Sequence, residues 1–161
     1  MLKLLVILAL GLAALWLGRG YSKFLDNRLG QMRGVLALAE HIRDSLSRSL
    51  SFGGELYRGF SDEYLEKSGL LPLLRQAVSP SEAICDPTVS LNLPESTRAR
   101  LGELFASFGK DYLDAELHRL ASFIEATDSE LRLATDSIEK NKKVTSALIF
   151  GIWSSLAIIL I

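Results

Sequence analysis

The chain has 161 residues, 48% of them apolar, and a formal net charge of -1. That length suits one domain of ordinary size and excludes two, and the lack of a basic surplus argues against a nucleic-acid binder. A single cysteine, Cys85, excludes an intramolecular disulfide framework and fits a reducing compartment.

From Leu4 to Gly18 the sequence LLVILALGLAALWLG carries no charge. Together with residues 1–3 it gives about 27 Å of helix at ~1.5 Å per residue, against a hydrocarbon core of ~30 Å. Lys3 can extend its ammonium to the headgroups, and Trp16 and Tyr21 fall where interfacial aromatics sit. Residues 1–20 therefore read as a membrane helix. A cleaved signal peptide is the competing reading, with Lys3 as its basic start and Gly18 and Gly20 as its small residues. Arg19, Trp16 and the missing Ala-x-Ala make a poor processing site.

Residues 21–143 read as a polar helical domain. An amphipathic helix is expected over Tyr21–Leu50, with Leu25, Leu29, Met32, Leu36, Ala39, Ile42, Leu46 and Leu50 on one stripe. Phe52-Gly53-Gly54 breaks it. Glu55 to Lys67 repeats the pattern as one shorter helix through Leu56, Phe60, Tyr64 and Leu65, ended by Gly69. Leu70 to Ala77 is a short apolar helix that tolerates Pro72 in its first turn. Val78 to Leu93, with Pro80, Asp86, Pro87 and Asn92, reads as loop with room for one helical turn.

Pro94 opens a further helix whose buried face is Leu101, Leu104, Phe105 and Phe108, and Gly109 closes it. The longest periodic signal follows. Leu113, Leu117, Leu120, Ile124, Thr127, Leu131, Ala134 and Ile138 step by four and three throughout, a heptad seam. It is either intramolecular core or a partner-binding face. Neither proline nor glycine separates Ile138 from the apolar run Val144–Ile161, so Tyr112 to about Leu160 is expected as one helix, roughly 70 Å long at ~1.5 Å per residue. Residues 144–161 contain no charge and read as a second membrane helix. Lys140, Lys142 and Lys143 precede it. No run alternates apolar and polar residues as a half-buried strand does. The expected fold is all-α: a membrane-anchored helical bundle with a transmembrane helix at each end.

Cations near the two spans lie mostly on the side of the central domain: Arg19, Lys23 and Arg28 after the first, Lys140, Lys142 and Lys143 before the second. The positive-inside bias then places the domain in the cytoplasm and both ends across the membrane. The three lysines could also attract anionic lipid.

Chemistry-bearing patterns are sparse. His41 and His118 belong to no His-Glu-x-x-His or Glu-x-x-His spacing, and Glu116, two residues from His118, diverges from it on a helix. Cys85 has no basic neighbour in sequence to activate it. Glu63 and Glu66 read as solvated carboxylates without a visible partner. Phosphate-cradling loops, nucleophile elbows and dinucleotide fingerprints are missing from the sequence. No enzyme activity, cofactor, metal or small-molecule substrate is expected.

The layout resembles the stage III sporulation protein AB family of endospore-forming bacteria. Its start, Met1-Leu2-Lys3-Leu4, leads into a short span. The closest likeness runs from Leu93 onward: Leu93-Pro94-Glu95 before a helix closing on Phe108-Gly109, then Ile138-Glu139-Lys140, then Leu148 and Gly151 in the last span. Ser51-Phe52-Gly53-Gly54 stands where that family usually has a Pro-Leu pair, and Lys110-Asp111-Tyr112 where it tends to have Leu-Gly. The resemblance implies a bundle similar to the F-type platform proteins of type II secretion and type IV pilus machines. It further implies a structural role in a transenvelope channel between mother cell and forespore, with a secretion-type ATPase and other stage III subunits as partners. A scaffold or signalling adaptor that forms a homo-oligomer through the heptad helix is the alternative.

Overall fold

The computed structural model describes the backbone of residues 2–48, 54–76 and 79–160, and the side chains at these positions except 2–10, 13–15, 17, 142–143 and 145–160. Every regular element among them is helical: α1 (Leu2–Arg48), α2 (Glu55–Arg58), α3 (Glu63–Lys67), α4 (Leu70–Arg75), α5 (Pro80–Cys85), α6 (Glu95–Ser107) and α7 (Leu113–Leu160). The chain divides into two compact units, one of Asn27–Arg132 and one of Met1–Asp26 with Leu133–Ile161.

In the 27–132 unit α1 supplies a wide apolar face. Met32, Val35, Leu38, Ile42 and Leu46 are all at most 1% exposed. The buried stripe runs through Val35 and Leu38, while Leu36, expected on it, is only half-buried. The packing partner explains the shift. Gly30 and Gly34 present bare backbone to α3: a Cβ at Gly30 would run into the Tyr64 ring, and one at Gly34 would meet Asp62 Oδ1 at 2.6 Å and Leu65 Cγ at 2.9 Å. The glycines let α3 approach closely and draw the flanking residues Val35 and Leu38 into the core.

The single helix expected over 55–67 is two. α2 stops at Gly59, and Asp62 restarts the chain as the N-cap of α3, accepting the Leu65 amide at 2.9 Å. Gly69, in the left-handed region at φ 84°, turns α3 directly into α4. Leu70, Leu71 and Leu74 of α4 are completely buried, with Pro72 in the first turn as expected. The loop expected over 78–93 contains the six-residue helix α5, entered through Pro80. An Asx turn follows, in which the Thr88 amide donates to Asp86 Oδ1 at 2.8 Å. Pro94 is the N-cap of α6, one position earlier than a first helical residue.

Gly109, at φ 79°, follows α6, and α7 begins at Leu113. As expected, α7 is continuous to Leu160. Its buried face in this unit is Glu116, Leu120, Phe123 and Thr127, so Phe123 and Glu116 join the stripe that the leucines announce. α1 and α7 each pass from one unit into the other without a helix break.

Candidate functional site

Two polar constructions and one groove stand out, all in the 27–132 unit. The first lies at the start of α6. Pro94 offers no side-chain cap there; Glu130 of α7 ties down this first turn through its side chains, accepting from the hydroxyls of Ser96 and, at 2.8 Å, of the fully buried Thr97, and pairing with Arg100 at 3.2 Å. A carboxylate at a helix N-terminus is favoured by the amide dipoles. Burial opposes the Glu130 charge, but the hydroxyls of Ser96 and Thr97 and the Arg100 guanidinium outweigh it and hold the carboxyl below its ordinary value.

The second is Arg75 at the end of α4. Its guanidinium donates to the carbonyls of Tyr57, at 3.4 Å, and Phe60, at 2.5 Å, satisfying the open end of α2. It also pairs with Glu66 at 2.6 Å. Glu66 thus has a partner that sequence left invisible, and Glu63 has Lys67 at 2.5 Å. That lysine's hydrogen bond and charge lower the Glu63 carboxyl, and the glutamate raises the Lys67 ammonium in return.

The groove, of about 600 Å³, opens between α6 and α7. Leu104, Phe123 and Ala126 floor it, and Arg100, Glu103, His118 and Arg119 form its rim with Ser107 and Ser122. Its volume lies in the ~300–1,000 Å³ range of ligand clefts; three of its polar side chains have partners, while Arg100 Nη1 is buried without a hydrogen-bond partner among the described residues. The Ser107 hydroxyl donates to the carbonyls of Glu103 and Leu104. Arg100 pairs with Glu130, and Arg119 with Asp111 and, at 3.7 Å, with the buried Glu116. No group of three or more His, Cys, Asp or Glu among the described residues could hold a metal.

The seam residues take definite places. Leu120 is completely buried, and Leu113, Leu117 and Ile124 pack half-buried against the unit's own core. Leu131 is half-buried, and Ile138, in the other unit, is 8% exposed. His41 donates through Nε2 to the Leu56 carbonyl oxygen at 3.1 Å, and its ring lies against Phe60. His118 and Cys85 are exposed. Arg19, Lys23 and Lys140 are exposed in the unit that contains both chain ends, while the Lys142 and Lys143 side chains lie outside the described ones. Glu130 and Arg75 escaped the sequence reading because their partners lie 9 to 34 positions away.

Among the described residues no helix is long and apolar enough to cross a membrane; the two charge-free runs fall mostly on positions whose side chains lie outside them. No family model, curated protein or solved structure matches the chain.

Proposed function

We propose that this chain is a two-span membrane protein whose central helical domain is a non-catalytic docking platform. The observation that carries the reading is the exposure of large apolar residues at both ends of the chain. Leu12 is 61% exposed, Trp16 79% and Val144 56%, and each belongs to or adjoins a run of sequence without charge. Side chains of this size left in water forfeit the ~1.5–3 kcal/mol that each gains on burial, and a bilayer supplies the missing apolar surroundings. The basic residues on the inner side of each run support a cytoplasmic central domain.

The resemblance to stage III sporulation protein AB over residues 93–161 gives this platform its pathway: a channel complex between mother cell and forespore, with a secretion-type ATPase as the cytoplasmic partner. Carbonate extraction tests the anchor, because an integral protein stays in the pellet; release into the supernatant would refute it. Affinity capture of the full chain from membranes of sporulating cells, read by mass spectrometry, tests the role. Recovery of a secretion-type ATPase is expected, and capture of the chain with no such ATPase would refute the platform reading while leaving the anchor intact.

A further inference from the structure

We draw no further inference here: the strongest candidate, the groove of about 600 Å³ between α6 and α7, carries nothing, because Arg100, His118 and Arg119 on its rim stand against the carboxylates of Glu103, Glu130, Asp111 and Glu116, so that no sign of charge selects a partner, and nothing in the structure shows what covers its floor of Leu104, Phe123 and Ala126.

Discussion

Gln31 and Asn92 are hydrogen-bonded across 61 residues of chain, the Asn92 amide donating to Gln31 Oε1 at 2.6 Å while Gln31 Nε2 donates to the Ser90 carbonyl at 3.2 Å. The glutamine, 3% exposed, thereby gives the extended segment after α5 the pairing that a neighbouring strand would give. Ser68 holds the same segment from the other side, its carbonyl accepting the Ser90 amide at 2.9 Å.

Replacing Gln31 by Glu should therefore destabilise the domain most at neutral pH. An ionised carboxylate can still accept from Asn92 but has nothing to donate to Ser90. Protonation restores one donor, so part of the loss should return in acid. Gln31→Ala should cost about 2 kcal/mol with no such recovery, since it strands both backbone groups. Urea unfolding of the full chain in detergent, followed by circular dichroism at several pH values, distinguishes the two; identical pH profiles would show that the amide bridge contributes nothing.

Gly30→Ala and Gly34→Ala should differ in sign or size although both improve helix propensity by up to ~1 kcal/mol. At Gly30 the clash is with the ring of Tyr64, which is 37% exposed and can swing outward. At Gly34 it is with Leu65, fully buried, and with the Asp62 carboxylate that caps α3. The first variant should be near neutral and the second destabilised by about 1–3 kcal/mol. Equal midpoints in urea would contradict the close approach of α1 and α3.

Glu130 makes stability depend on acidity in a known direction. Its carboxyl titrates below the ordinary value of 4.5 when folded, so its contribution is complete above that pH and is lost as the pH falls through the lower, folded value. Glu130→Gln should flatten this part of the acid-unfolding curve and weaken the links to Thr97 and Arg100 even at neutral pH. Loss of amplitude in the same acid range by Asp128→Asn, an exposed ion pair with Arg132, would point away from Glu130.

Tyr57→Phe should be neutral or stabilising by up to ~1 kcal/mol. The hydroxyl is buried with no hydrogen-bond partner among the described residues, and burial pushes its pKa up to about 12. Deleting it removes an unmet polar group while keeping the ring. A clear drop in unfolding midpoint would mean that the hydroxyl is satisfied after all.

These contrasts mark how far the sequence could be read. Helices whose leucines recur at three and four, such as α7 from Leu113 to Ile124, announce both their existence and their buried side, because burial there depends on local spacing alone. The stripe on α1 was misplaced at Leu36 because it is set by Gly30 and Gly34, and a glycine's value as a contact surface exists only once α3 lies against it. The break between α2 and α3 had a local sign, Gly59 followed by Asp62-x-x-Leu65. The apolar spacing of Phe60, Tyr64 and Leu65 concealed it. Glu130 and Arg75 look like ordinary surface charges, since nothing near either residue in sequence reveals a bond to another helix.

Glu116 is 1% exposed, and its Oε1 accepts the amide of Gly109 at 3.0 Å. The turn between α6 and α7 is thus closed by a side chain from the first turn of the helix it leads into. Tyr112, by contrast, is 90% exposed in the same turn. The Gly109 amide should therefore exchange with solvent deuterium at the pace of the α7 first turns and not at that of an open loop. Opening this corner therefore means breaking a bond to a buried carboxylate of α7, a cost that a free loop does not carry.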